Sequence, residues 1–451
     1  MKSSIAIERA KSRLLAAWAH LAGRPAAFWE QVLFVLFCLS VILFPFGQAF
    51  RVLLPLLCLP ALILLYLKDW PNRALARLPV RWLFAGFFAL IAFEVLASHW
   101  PALSWQTVRP NLLRGFLLPF VAMECVRDER DLCRLTGAFV IAGLIAGLSG
   151  VWQFATGADL LTGTTPYRTG GSDFVPGSFA SLSGFRLTGP LSGYRVGNYM
   201  ALLCLPACGL FLLWPDKPFL RHPAARLALT LAVLAPAVFL WIGAQARSGY
   251  LGVVGGLYLA WLLFVRPSWR IAPLPPLAGL LLVAFGPERV SLAQALVDER
   301  RLIWEAAWQC FLANPWFGTG AGTYAEACAS LGITHLATGN LVPPHPHNIY
   351  LQWLVDGGLT GFAVFLLFVA GLAAWSARTI RQGLRAGPDQ ARFWRLAAFF
   401  WAGWLGYLVS GLSAHDFYRT WWVSTAFSLL GVLLGACVRG SRPTDKTGES
   451  L

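Results

Sequence analysis

Two histidines stand two residues apart in the segment PPHPHNIYLQWLVDGGLTG, residues 343–361. Prolines restrict the chain around His345, and Asn348 opens an apolar run that predicts a long helix. His347 would then lie at the first helical turn, where the helix dipole disfavours an imidazolium. A general base must be neutral, so we interpret His347 as the candidate base and His345 as a loop-shaping or substrate-contacting residue. The alternative is that both histidines only cap the helix and touch lipid headgroups.

A single arginine stands between two apolar runs in QARSGYLG, residues 245–252. A charge at this position is costly unless it is paired or solvated in a cavity, which favours a functional role for Arg247. The alternative role is that of an interfacial anchor, because a long arginine side chain can reach the headgroups.

Two further arginines, Arg300 and Arg301, begin the segment RRLIWEAAWQCFLANP. A positive charge at a helix start opposes the helix dipole, so a compensating role is expected. One of the two could pair with a nearby carboxylate, Glu288, Asp298 or Glu305. The other could bind an anion, because a guanidinium fork matches phosphate oxygens.

Weaker candidates lie on three other segments. Arg186 and Arg195 flank the turn-rich sequence LTGPLSGY and are possible substrate contacts. Asn348 is a possible substrate contact beside the histidines. The segment HDFYRT, residues 415–420, also combines polar groups, and we interpret it as a solvated hairpin.

The elements that must position these residues are membrane helices. Of the 451 residues, 57% are hydrophobic and 13% are charged, and the mean hydropathy is +0.61. Soluble domains carry about 25% charged residues, so an ordinary soluble protein is excluded. Apolar runs long enough for membrane helices predict about twelve spans, near 29–46, 50–67, 82–99, 112–126, 135–155, 197–214, 227–246, 249–265, 271–287, 347–375, 396–413 and 420–438.

The basic residues give this topology an orientation. The net charge of +15 is better explained by topology and anionic lipid than by nucleic acid. With both termini in the cytoplasm, 25 of the 36 basic residues fall on the cytoplasmic side. The 11 on the other side are all arginines, which indicates an external anion site.

The predicted organisation has five parts. A cytoplasmic segment (1–28) precedes nine membrane helices (29–287), a large external loop (288–346), three further helices (347–438) and a cytoplasmic tail (439–451). The large loop should hold an amphipathic helix that Pro315 stops and a second short helix after a glycine-rich turn, and should cap a cavity. A second long external loop covers 156–196. Cys310 and Cys328, the only cysteines of the large loop, could form a disulfide if that side is oxidising.

Several kinds of site have no sequence signature. The cysteines do not follow metal-ligand spacing, and the external loops lack a carboxylate cluster for Mg²⁺ or Mn²⁺. No phosphate-binding loop or dinucleotide fingerprint occurs. We therefore expect no metal and no cofactor.

The motifs together resemble the O-antigen ligase and polymerase superfamily of bacterial membrane glycosyltransferases. The family's ligase pattern is His, then Asn, Ser or Gln, nine residues, Gly, two residues and Gly, and it is met by His347, Asn348, Gly358 and Gly361. Its Arg-x-x-x-Leu pattern is met by Arg247 and Leu251. The stretch RRLIWEAAWQCFLANPWFGTGAGTY also looks like the family's segment before the histidine motif.

The resemblance implies an all-α, C-type glycosyltransferase-like membrane fold in the bacterial inner membrane, with its site open to the periplasm. The implied donor is a glycan on undecaprenyl diphosphate, and the acceptor is a sugar hydroxyl on lipid A core or, in polymerases, another lipid-linked glycan. By motif position, His347 would be the base and Arg247 and Arg300 would bind the diphosphate. Arg301 would replace Arg300 if the register shifts by one.

Three functions are compatible with the sequence. A ligase is favoured, and a polymerase of the same superfamily is the alternative. A twelve-span transporter or flippase belongs to another class and ranks last, because the charged candidates concentrate at one face and no internal repeat is visible.

Overall fold

The computed structural model describes residues 23–169, 173–191, 195–214, 222–285, 299–414 and 416–440, so most of the two predicted cytoplasmic termini lies outside it. Its α-helices are α1 Ala26–Leu43, α2 Gln48–Asp69, α3 Ala74–Arg77, α4 Trp82–Leu96, α5 Pro101–Arg114, α6 Leu118–Glu124, α7 Glu129–Thr156, α8 Arg195–Ala207, α9 Leu210–Leu213, α10 Pro223–Gly243, α11 Arg247–Ala260, α12 Leu274–Phe285, α13 Arg300–Ala313, α14 Tyr324–Ser330, α15 Ile349–Arg385, α16 Ala391–Ser410 and α17 Thr420–Gly440. A π-helical turn, Trp261–Val265, extends α11. Two short strands, β1 Tyr167–Arg168 and β2 Phe185–Arg186, pair in antiparallel fashion.

The described residues contain eight helical segments that are long and apolar enough to cross a membrane. They are Ala26–Phe46, Ala49–Arg77, Glu129–Thr156, Val196–Leu213, Pro223–Gly243, Arg247–Val265, Ile349–Arg385 and Thr420–Gly440. A ninth apolar helix, α4, is shorter. The prediction of an all-α polytopic membrane protein is therefore confirmed. All twelve predicted spans overlap helices, although not every one meets the length and hydropathy expected of a full crossing.

The predicted span at 112–126 is wrong as a single helix, because α5 ends at Arg114 and α6 begins at Leu118. Gly115 separates the two helices, and a Cβ atom there would overlap the Val423 side chain of α17. Pro119 then occupies the first turn of α6, a position where its missing N–H costs nothing. A hydropathy run cannot reveal this break, since it depends on a contact with a distant helix.

Helix α17 lies in the centre of the bundle, with 94% of its apolar window buried, whereas α10 and α11 have 22% buried and face outwards. Small residues let its neighbours approach closely, as is usual between membrane helices. On α17, a Cβ atom at Gly431 would lie 2.6 Å from the Cβ of Ala122 in α6. Between α11 and α16, a Cβ atom at Gly252 would lie 2.7 Å from the Gly406 carbonyl oxygen.

An aromatic cluster fixes the start of α15 against α4. Phe87 stacks on Phe368 with ring centroids 4.3 Å apart, and Trp353 stacks on Phe365 at 4.8 Å. All four side chains are buried. Offset stacking and apolar burial hold the first turns of α15, which follow the histidine motif, in one position.

The described part of the large loop, residues 299–346, has a small core of its own. As predicted, it contains an amphipathic helix, α13, that ends before Pro315 and a second short helix, α14. Ile303 and Phe311 of α13 pack with Tyr324 of α14, and the Tyr324 hydroxyl donates to the Ile303 carbonyl over 3.0 Å. The loop is therefore a folded cap that can hold side chains in place.

Candidate active site

A cavity of about 540 Å³ lies where the large loop meets the ends of several membrane helices. Its lining is rich in arginine and contains both motif histidines. The lining residues are Tyr167, Arg168, Thr169, Arg186, Asn198, Gln245, Ala246, Arg247, Ser248, Glu299, Arg300, Ile303, His345, His347, Ala414, Asp416, Arg419 and Trp422. Five arginines thus face two carboxylates, a charge balance suited to an anionic ligand.

The two histidines are held by the loop that precedes α15. His347 has a left-handed backbone with φ of 53°, a conformation that costs a non-glycine residue about 1–3 kcal/mol. Its backbone N–H donates to Nδ1 of His345 over 3.3 Å, and the two rings lie 4.1 Å apart. Trp304 of α13 donates from its indole N–H to the Pro346 carbonyl over 3.1 Å. Helix α13 therefore holds in place the loop that carries His347.

Both imidazoles are neutral at physiological pH. The pKa of His347 is lowered to about 3, mainly by burial and further by the neighbouring His345, Arg300 and Arg419, while Asp416 opposes them. Burial, with a contribution from Arg419, lowers the pKa of His345 to about 4. The sequence argument relied on the helix dipole, but burial and nearby positive charge are the main causes in the structure. A neutral His347 has a ring nitrogen able to accept a proton.

Arg247 begins α11, directly after a tight connection from α10. Gln245 in that connection has a φ of 51°, and its side-chain amide donates to the Leu182 carbonyl over 2.5 Å. Ser248 donates to the Asn198 side chain over 2.9 Å. These contacts tie the turn to α8 and to the loop 156–196, and they place Arg247 at the cavity wall.

The structure separates the roles of the two adjacent arginines of α13. Arg300 lines the cavity, and its charge acts on His347. Arg301 points away, is exposed, and pairs with Glu305 one helical turn later, over 2.8 Å. The expectation that one arginine pairs with a carboxylate while the other faces the site agrees with this arrangement.

Helix α15 is broken at Gly358, and the loop segment 315–322 enters the break. Gly358 has φ of 61° and ψ of −159°. The carbonyls of Val355 and Asp356 accept from Thr319 N–H at 3.0 Å and Gly320 N–H at 2.8 Å. In return, the N–H groups of residues 359 and 360 donate to the carbonyls of residues 315 and 316 over 2.8 and 3.1 Å. The loop thus replaces the hydrogen bonds that the helix loses.

The break gives a physical reason for the two glycines of the histidine motif. At Gly358, a Cβ atom would lie 2.5 Å from the Trp316 carbonyl carbon, in a backbone conformation reserved for glycine. At Gly361, it would lie 2.7 Å from Oε1 of the buried Glu94 of α4. Both glycines therefore permit the close packing of α15 against the loop segment and against α4, and neither lines the cavity.

Asn348 acts as the N-cap of α15 and does not line the cavity. Its Oδ1 atom accepts from the N–H groups of Tyr350 at 2.9 Å and Leu351 at 3.1 Å. Its amide nitrogen donates to the Leu412 carbonyl over 2.9 Å. Of the other weaker candidates, Arg186 on β2 lines the cavity, whereas the Arg195 side chain lies outside the described part of the structure.

Asp416 and Arg419 are among the cavity residues that the sequence argument missed. They lie in the turn before α17, which we interpreted as a solvated hairpin, yet both line the cavity. Asp416 accepts from the Gln352 amide over 2.9 Å and lies 3.5 Å from Arg419. The available signal was the density of polar groups in HDFYRT, which is unusual between two apolar helices.

The described residues contain no group of three or more His, Cys, Asp or Glu side chains that could hold a metal ion. What the cavity does contain is a neutral imidazole beside several guanidinium groups. This set can accept a proton from a hydroxyl and stabilise negative charge on phosphate oxygens.

Fold and cavity together define a polytopic α-helical membrane protein with an arginine-rich cavity under a helical cap. A family model described as O-antigen ligase matches residues 230–366 and supports assignment to the O-antigen ligase superfamily. The matched range includes Arg247, Arg300, His345 and His347, whereas Arg186 and Arg419 lie outside it. No curated protein matches the chain.

Proposed function

We propose that the protein is an O-antigen ligase that transfers a glycan from undecaprenyl diphosphate to a sugar hydroxyl of lipid A core. The observation that carries this proposal is the shared cavity, in which His347 lies with Arg247 and Arg300. The match of residues 230–366 to the O-antigen ligase family supports the reaction class. We place the protein in the bacterial inner membrane with both termini in the cytoplasm, so that the cavity opens to the periplasm.

In this reaction His347 is the general base. Its neutral imidazole accepts the proton of the acceptor hydroxyl while that oxygen attacks the anomeric carbon of the donor sugar. The bond from the sugar to the diphosphate oxygen breaks, and undecaprenyl diphosphate leaves. Burial keeps His347 unprotonated, and Asp416, through its negative charge, stabilises the imidazolium that forms.

Arg247 and Arg300 bind the diphosphate and stabilise the charge that develops on the leaving group. They approach from different elements, the start of α11 and the start of α13, so two phosphate groups can be gripped at once. Arg186 and Arg419 add positive charge to the wall of the same cavity. Because guanidinium groups supply this charge, we expect transfer to persist in the presence of EDTA.

The test begins with deletion of the gene and examination of the lipopolysaccharide. Loss of polymer from the core, with accumulation of lipid-linked polymer, supports the ligase. Core adducts that carry a single repeat unit would identify a polymerase instead. Loss of polymer from the core with the lipid-linked glycan retained on the cytoplasmic face of the membrane would favour a transporter and overturn the proposal.

Variants then test the site in the deletion strain. His347→Ala should abolish transfer at normal protein levels, while His335→Ala, an exposed histidine of the same loop, should retain it. Arg300→Lys should reduce transfer at least tenfold, because an ammonium cannot reproduce the bidentate fork. Arg301→Lys is the matched control on the outer face of α13 and should have little effect. Equal losses at Arg300 and Arg301 would contradict the assignment of the diphosphate site.

A further inference from the structure

Two cysteines of the large loop face each other inside the cap. Cys310 of α13 and Cys328 of α14 have Sγ atoms 3.0 Å apart, and both side chains are fully buried. They are surrounded by the loop's own core, which includes Ala307, Phe311 and Tyr324. Because the sulfurs already touch, a covalent bond between them requires almost no movement of either helix.

The pair also differs chemically from the other cysteines. The other seven lie in or beside the helices of the membrane bundle. A hydrogen bond from Cys310 lowers the pKa of the Cys328 thiol, whereas the same interaction and burial raise the pKa of Cys310. The two sulfurs therefore interact directly in the folded cap.

We propose that Cys310 and Cys328 form a disulfide bond that locks α13 to α14. The inference rests on the proposed function in one respect, namely that the large loop faces an oxidising compartment. The oxidant is a protein of the thiol–disulfide exchange class. The thiolate of one cysteine attacks the disulfide of the oxidant and forms a mixed disulfide with it. The thiolate of the other cysteine then attacks this mixed disulfide, forms the Cys310–Cys328 bond and releases the oxidant's sulfur as a thiolate. Two protons and two electrons leave the cysteines, and the oxidant is released as a dithiol.

The disulfide has a consequence for the site. Helix α13 carries both Arg300 at the cavity wall and Trp304, whose indole holds the histidine loop through Pro346. A bond from Cys310 to α14 restrains α13 at a point along the helix and so restrains both side chains. Because both sulfurs are buried in the folded cap, exchange must occur before α13 and α14 pack together. The disulfide therefore forms while the protein folds and does not act as a reversible switch.

The first experiment counts thiols in the full-length protein. Cells are quenched in acid, and denatured protein is labelled with a polyethylene glycol maleimide, with and without prior reduction. Wild-type protein should gain two labels on reduction, and Cys310→Ser and Cys328→Ser should gain none. A wild-type protein that gains no label overturns the disulfide.

A second variant reports the orientation separately. In the Cys310→Ser, Cys328→Ser background, Ser330→Cys places a thiol on the exposed end of α14. A membrane-impermeant maleimide should label it in intact spheroplasts. If Ser330→Cys is labelled and wild-type protein gains no label on reduction, the disulfide alone is refuted. If Ser330→Cys is not labelled and wild-type protein gains no label on reduction, the proposed orientation is refuted as well.

The third measurement tests whether the bond locks the cap. Wild-type protein purified from cells grown with dithiothreitol, in which the bond cannot form, should have a lower Tm in detergent than wild-type protein from untreated cells. The same growth condition should leave the Tm of the Cys310→Ala, Cys328→Ala variant unchanged, because that variant forms no bond. An unchanged wild-type Tm, with two labels gained, would show that the bond forms without restraining the cap and would overturn that part of the proposal.

Discussion

Replacing Gly358 with alanine tests the interlocked break in α15. The backbone at Gly358 lies in a region that only glycine occupies readily, which costs about 1–3 kcal/mol for alanine. The added Cβ atom would also lie 2.5 Å from the carbonyl carbon of Trp316 and 2.6 Å from the amide nitrogen of Phe317. Relieving this overlap costs about 1–3 kcal/mol more, because these backbone atoms are held by the neighbouring hydrogen bonds. The free energy of unfolding should therefore fall by about 2–6 kcal/mol.

Two alanine substitutions serve as matched controls. Gly339 has a φ of 83° but open space around it, so Gly339→Ala carries only the conformational cost of about 1–2 kcal/mol. Gly86 is helical, exposed and free of neighbours, so Gly86→Ala should be neutral or stabilise by up to about 1 kcal/mol.

The assay compares the Tm of the three variants in detergent with their rates of glycan transfer. Gly358→Ala should have the lowest Tm and should lose most of the transfer activity, since the half-helix after His347 is displaced. Gly339→Ala and Gly86→Ala should keep their activity. A Tm for Gly358→Ala equal to or above that of Gly339→Ala would refute the argument that the loop fills the break.

Three further predictions concern the histidine loop. The rate of transfer should not fall through protonation of His347 between pH 7 and about 5. The pKa of His347 is lowered to about 3, so its imidazole stays neutral until the pH falls through that value. A His347-dependent midpoint near pH 6.5 in the pH–rate profile would contradict this. Asn348→Ala should reduce the free energy of unfolding by about 1 kcal/mol through loss of the N-cap, and Asn348→Ser should recover part of it, as thermal denaturation would show. Trp304→Phe keeps an aromatic ring but loses the hydrogen bond to the Pro346 carbonyl, so kcat should fall while the Tm changes little. Trp308→Phe, on the exposed side of the same helix, should change neither.

The helical architecture was predictable because a membrane helix has a local requirement, a run of apolar residues of sufficient length. The amphipathic helix before Pro315 was predictable for a similar reason, since its apolar positions and its stop signal are local. The breaks at Gly115 and Gly358 were not, because each depends on a partner far away in sequence. Val423 packs against the first break, and the segment 315–322 fills the second.

Part of the candidate site could be predicted from short motifs, which drew attention to His347, Arg247 and Arg300. Sequence could not separate Arg300 from Arg301, because that choice depends on the face that α13 turns to the cavity. It also could not bring Asp416 and Arg419 into the site. Their turn reaches the histidine loop through the packing of α15, α16 and α17, visible in the bond from Ile349 N–H to the Gly411 carbonyl at 2.9 Å.

The exchange of hydrogen bonds at the break in α15 bears on how substrates enter the cavity. A hinged lid must separate from the body of the protein, and here separation would break four backbone hydrogen bonds to residues 315–320. Leaving the groups of even two of these bonds unsatisfied in a dry environment costs several kcal/mol, roughly 2–6. The segment 315–322 is therefore held against α15 and does not act as a gate, and it does not line the cavity.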